Sequence, residues 1–98
     1  MSLTVIFRAV AEAEYVGAIA YYEAQQPGLG PDFEAEVLAV LDTVANQPDR
    51  YPIAFRDTRE APVGRFPYCV YYRVRDSRLI VLAVFHQSRD PAEWQSRA

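Results

Sequence analysis

The sequence predicts an α+β fold of order β-α-α-β-β-β, with a helical hairpin packed on one face of a small antiparallel sheet. Three observations carry that prediction. A short β-branched run opens the chain. Two stretches with apolar residues at helical spacing follow, parted by Pro27-Gly28-Leu29-Gly30-Pro31. Beyond residue 50 the pattern changes to the period-two alternation of strands, punctuated by turn residues.

Leu3-Thr4-Val5-Ile6-Phe7 reads as the first strand, because β-branched and aromatic side chains suit a pleated surface. From Val10 to Gln26 the spacing turns helical, with Tyr15, Ala18, Ile19 and Tyr22 on one stripe. Glu12 and Glu14 sit near its start, where the helix dipole favours acids. The Pro-Gly segment breaks that helix, and Pro31 suits the first turn of the next. In the second helix Phe33, Val37, Val40, Leu41 and Val44 form the apolar stripe, and Asn46-Gln47-Pro48 ends it. Within residues 53–66, one or two short strands lie around Arg56 to Phe66, interrupted by Pro62 and Gly64. Tyr68 to Arg75 alternates, with Tyr68, Val70, Tyr72 and Val74 on one face and Cys69, Tyr71, Arg73 and Arg75 on the other. Asp76-Ser77 is a hairpin turn, and Leu79 to Phe85 is an apolar strand covered on both faces. A short helix begins at Pro91-Ala92-Glu93-Trp94.

A chain of 98 residues fits one domain, spanning 1–98, and its 51% hydrophobic content supplies a core. No apolar run approaches a membrane span, and the N-terminal charges do not read as a signal peptide. A lone Cys69 excludes an internal disulfide and fits a reducing cytoplasm. One histidine and one cysteine give no metal-ligand spacing, and no cofactor motif is present: Gly28-Leu29-Gly30 is a turn. The net charge of −3 argues against direct, sequence-specific DNA binding by this chain alone. It hides an asymmetry. Residues 1–49 carry Arg8 against eight acids, a sum of −7, and residues 50–98 carry nine arginines against five acids, a sum of +4. Every basic residue is arginine, whose planar fork suits carboxylate or phosphate.

Several segments resemble one family. Tyr21-Tyr22-Glu23, then Gln26-Pro27-Gly28-Leu29-Gly30 and Phe33, is similar to the helical hairpin of RelE/ParE-type toxins. Pro48-Asp49-Arg50-Tyr51-Pro52 and Phe66-Pro67-Tyr68-Cys69-Val70-Tyr71-Tyr72 resemble the approach to that family's main hairpin. Val84-Phe85-His86-Gln87-Ser88-Arg89-Asp90-Pro91, with Trp94 beyond, resembles the last strand and tail of its ParE branch. The resemblance implies a cytoplasmic plasmid-stabilisation or growth-inhibiting toxin of a type II toxin–antitoxin system, silenced by direct contact with a cognate antitoxin. It implies two possible targets: DNA gyrase for ParE-like members, or mRNA on the ribosome for RelE-like endoribonucleases. A third alternative is a non-toxic remnant that binds only its partner.

The residues favour the ParE-like reading. RNA cleavage needs a base, an acid and cations around the phosphate. His86 with Arg73 and Arg89 is the only set of candidates, and His86 as a strand-end cap is the plainer reading. The resemblance puts a phosphate-binding arginine of RelE-like nucleases where this chain has Cys69, and supporting lysines where this chain has none. The target-binding candidates are Arg65, Arg73, Arg75, Arg89, Trp94 and Arg97, and the antitoxin-binding candidates are Tyr15, Ile19, Tyr22, Tyr71 and Arg73.

Overall fold

The computed structural model describes residues 3–98. In chain order the elements are β1 (Thr4–Phe7), α1 (Ala9–Gln25), α2 (Leu29–Asn46), β2 (Ile53–Phe55), β3 (Thr58–Pro62), β4 (Tyr68–Arg75), β5 (Arg78–His86) and α3 (Ala92–Gln95). The segment 53–66 therefore resolves into two strands.

The strands form one sheet of order β1-β5-β4-β3-β2. Consecutive strands from β2 to β5 pair antiparallel, as expected. β1 pairs parallel to β5, with Thr4 opposite Arg78 and Phe7 opposite Val81, so the sheet is mixed rather than wholly antiparallel. Local alternation carries no information on this direction. It is set by the helical hairpin, which carries the chain across the sheet before the remaining strands are laid down.

The hairpin forms as its spacing predicts. Ala11 and Ala18 of α1 are buried, with Tyr15, Ile19 and Tyr22 half-buried on the same stripe. Small alanines let α1 lie close to its neighbours. The connection is three residues, Gln26 to Gly28, and Gly28 takes φ 91°, a left-handed conformation natural to glycine. α2 buries Phe33, Val37, Val40, Leu41 and Val44, and its first N–H groups are met from α1: Glu23 accepts from Gly28 N and Gly30 N at 3.0 Å.

β4 divides the molecule into two layers. Val70 and Tyr72 join the main core beneath the helices, whereas Cys69 and Tyr71 join a second cluster on the outer face. β5 is buried on both faces through a bulge: Tyr71 lies opposite Ala83 and Tyr72 opposite Val81, leaving Leu82 as the extra residue. The bulge shifts the phase of the strand. Leu79, Val81 and Val84 point to the helices, and Ala83 and Phe85 point outward. The outer cluster is closed by Trp94 of α3, 2% exposed, stacked on Tyr71 at 3.9 Å between ring centroids.

Candidate functional site

The sequence-predicted residues fall on three parts of this frame. Tyr15, Ile19 and Tyr22 are half-buried on α1, where Tyr22 packs against Phe33, Phe66 and Tyr68. Burial pushes the Tyr15 and Tyr22 phenols above their ordinary pKa of 10.0. The apolar surface left open nearby belongs to other residues. β1 is an edge strand, and Val5 and Leu38 flank a groove of about 490 Å³ floored by Leu3, Phe7, Leu41 and Ala45. Val10 (43%), Val16 (58%) and Tyr21 (59%) are further exposed hydrophobic residues on α1.

The second part is an arginine-rich end of the sheet. The turn Arg56-Asp57 and the turn Asp76-Ser77 lie together because Asp57 joins them to β4. Its Oδ2 accepts from Arg75 Nη2 at 2.7 Å, and its Oδ1 lies 3.7 Å from Arg73 Nη1. The bond from Arg75 outweighs the cost of burial and holds the Asp57 carboxyl below its ordinary pKa of 3.8. Arg56, Asp76 and Ser77 have φ of 54°, 54° and 61°. Two successive positive φ values at Asp76-Ser77 are those of a type I′ hairpin turn. Arg78 sits directly across from Arg75.

The third part is the C-terminal segment. Glu14, expected only to complement the α1 dipole, is its anchor. One carboxylate oxygen accepts from Val84 N–H at 3.2 Å, where β5 runs past the end of β1, and from Arg97 Nη1 at 2.9 Å. The other accepts from Arg89 at 2.9 Å and Arg97 at 3.0 Å. Arg97 also donates to the Leu82 carbonyl, the group freed by the bulge, at 3.0 Å. Arg89 reaches Glu93 as well, at 2.6 Å, and lies 4.1 Å over the Phe85 ring. Burial opposes the Arg89 charge, but Glu93 and Glu14 outweigh it and raise the guanidinium's pKa above its ordinary value.

The fold does not bring His86, Arg73 and Arg89 together. His86 pairs with Tyr68 at one end of the β4–β5 ladder and Arg73 with Ile80 toward the other, on the order of 20 Å away. The His86 ring packs on Tyr68 at 5.1 Å, on the helix side. Its Nδ1 accepts from the Ser88 N–H at 3.0 Å, the bond of a strand-end cap. Arg73 lies on the outer face and donates to the Ala98 carbonyl at 3.2 Å. Cys69 is buried, and burial raises its thiol pKa above 9.0, away from nucleophilic use. Tyr71 is 8% exposed, donates to Glu60 at 2.7 Å, and is covered by Trp94. Arg65 is exposed and paired with Asp32 at 3.0 Å. Among the described residues, no group of three or more His, Cys, Asp and Glu is placed to hold a metal ion, and no helix is long and apolar enough to cross a membrane.

Sequence comparison decides between the families that share this frame. The model of the ParE toxin of type II toxin–antitoxin systems, parDE, matches residues 5–91. The chain belongs to the ParE toxin family. Among solved structures, a chain of the chromosomal ParDE toxin–antitoxin system from P. aeruginosa superimposes with a TM-score of 0.73. It is 16% identical over 87% of this chain and 96% of that one, a likeness of fold. No curated protein matches.

The residues that sequence reasoning missed are Glu14, Asp57 and the open β1 edge. A faint signal existed for the last: Thr4 to Phe7 carries none of the charges or prolines that blunt an exposed edge. Glu14 gave no sign, because its partners lie 70 or more residues away in the chain.

Proposed function

We propose that this ParE-family toxin acts by binding a macromolecular target, DNA gyrase, and is silenced by direct contact with a cognate antitoxin. One observation carries the choice of binding over RNA cleavage: the single histidine and Arg73 lie at opposite ends and on opposite faces of the β4–β5 ladder. General acid–base cleavage needs those groups around one phosphate. The arginine-rich end around Arg56, Arg73, Arg75 and Arg78 supports target contact. Its guanidiniums outnumber the carboxylates of Asp57 and Asp76.

The exposed apolar surface of β1 and the hairpin supports antitoxin contact. An extended segment laid along the free edge of β1 gains backbone hydrogen bonds and covers Val5 and Leu38. Glu34 and Asp42 stand one turn to either side of Leu38 on α2, so the segment that fits carries apolar residues and a basic one.

The test is expression of the chain with and without the protein of its neighbouring frame, with gyrase supercoiling and ribosomal mRNA cleavage assayed in parallel. Inhibition of supercoiling, relieved by the partner and unchanged in His86→Ala, is expected. Cleavage of mRNA abolished in His86→Ala would overturn the reading. Leu38→Glu is expected to weaken partner binding by at least about tenfold, with supercoiling inhibition retained.

A further inference from the structure

Among the described residues, three buried side-chain polar atoms have no hydrogen-bond partner within the chain: Thr58 Oγ1, Arg73 Nε and Trp94 Nε1. Nearly all such atoms in folded proteins are paired, and each unmade bond costs about 1–3 kcal/mol. These three are not scattered. Arg59 lies opposite Tyr72, so one further step of the same antiparallel register sets Thr58 opposite Arg73. Both belong to the outer face, since Glu60 and Tyr71, the pair two positions along, meet there through their side chains. Cross-strand neighbours on one face have Cβ atoms about 4.5–5.5 Å apart. Trp94 reaches the same quarter from above. Its ring stacks on Tyr71, two positions from Arg73, and stands edge-on to Phe55, the strand partner of Thr58. The bond from Arg73 to the Ala98 carbonyl brings the C-terminal segment over the spot.

The chemistry of the three atoms is one-sided. Indole and guanidinium nitrogens only donate, and a threonine hydroxyl donates as readily as it accepts. Arg73 and Arg75 share Asp57, and Arg75 takes the closer bonds, with both Nε and Nη2 on Oδ2. Arg73 keeps the longer contact with Asp57, on a side chain only 11% exposed.

We propose that Thr58, Arg73 and Trp94 form a binding site for a small oxoanion on the outer face of the sheet. Its oxygens accept from all three donors. Because two donors come from the sheet and one from α3, the bound anion clamps the C-terminal segment onto the strands. The site shares Arg73 with the arginine-rich end proposed for target contact, but the small anion and its other two donors, Thr58 and Trp94, form no part of that proposal or of the antitoxin contact.

Trp94 is the only tryptophan, so its emission reports on the site directly. The full chain is titrated with sodium phosphate and, separately, with sodium acetate, each against sodium chloride at matched ionic strength. Trp emission and thermal midpoint are both followed. The expected result is a saturable emission change and a midpoint raised by a few degrees with phosphate or acetate but not chloride, the stronger response naming the anion. Thr58→Val keeps the side-chain shape and is expected to bind about tenfold more weakly, the cost of one lost hydrogen bond. Arg73→Lys, which keeps the charge but removes the Nε donor, is expected to do the same. Responses to phosphate and acetate no different from chloride overturn the proposal. So does a Thr58→Val protein that folds and responds like the parent.

Discussion

A Cβ placed on Gly30 would lie 2.8 Å from the Ile19 carbonyl oxygen and 2.9 Å from the Glu23 Cβ. The first contact is with helix backbone, which cannot swing aside, so the absent side chain sets how closely α1 and α2 approach. Gly30→Ala is expected to cost about 1–3 kcal/mol, the usual range for forcing a methyl group into packed structure. A urea midpoint unchanged from the parent would remove Gly30 from that role. The turn glycines were legible in the sequence as a helix break, but this one serves inside α2, a difference that only the helix–helix distance reveals. Asp57 is the electrostatic counterpart. Its folded pKa is held below 3.8 by Arg75, so the stability it contributes is present above that value and lost as pH falls through the folded pKa. Asp57 is about half exposed, which keeps the contribution small. Asp57→Asn is expected to lower the melting temperature slightly at neutral pH and to flatten its fall below about pH 4, read from melts across a pH series. An acid limb as steep as the parent's would exclude Asp57 as a source of the acid sensitivity.

Among the elements, β4 was the most legible and β5 the most instructive. Alternation from Tyr68 to Tyr72 assigns each of these β4 residues to its observed layer, because each layer buries one side of the pleat. In β5 the apolar run conceals the bulge at Leu82, since a strand buried on both faces has no polar residue to mark its phase. The direction of β1 was equally hidden, as four residues of alternating pattern read alike in either sense. The bulge matters beyond register, since the carbonyl it frees is bound by Arg97, and Glu14 collects Arg97, Arg89 and the Val84 N–H. One side chain thus fastens α1, β5 and the C-terminal segment. Glu14 is 12% exposed and Arg97 16%, so removing the acid leaves a mostly buried guanidinium without its counter-charge. Glu14→Ala is expected to cost about 2–4 kcal/mol in denaturant unfolding, somewhat below a fully buried pair because Arg89 keeps Glu93. Glu14→Gln, which retains an acceptor for Val84, is expected to lose less. Equal losses in the two variants would show that the backbone bond contributes nothing separable.

Taken whole, the molecule pairs the opposite charges of its two halves across the fold. Acids of the first half meet arginines of the second in Asp32–Arg65, Asp49–Arg59 and the two bridges of Glu14. Composition showed the imbalance but not its destination, because no spacing rule pairs residues so far apart in the chain. The same burial that closes the core governs the tyrosines. Tyr15, Tyr22, Tyr68, Tyr71 and Tyr72 all have phenol pKa values raised above 10.0, first by burial, and Tyr71 most strongly. A folded pKa above the unfolded one stabilises fully below pH 10 and loses that stabilisation as pH climbs toward the folded value, since the unfolded chain releases its protons first. The protein is therefore expected to unfold cooperatively on the alkaline side, with tyrosinate absorbance rising together with the loss of helical circular dichroism. Tyr71→Phe sharpens the test. It gives up the bond to Glu60, at about 1 kcal/mol near neutral pH, but removes the phenol whose ionisation most favours the unfolded chain. Its alkaline midpoint should then fall less, relative to its neutral stability, than the parent's. Tyrosinate absorbance that saturates while the helical signal stays intact would show that these phenols ionise inside the fold, and that burial does not couple them to unfolding.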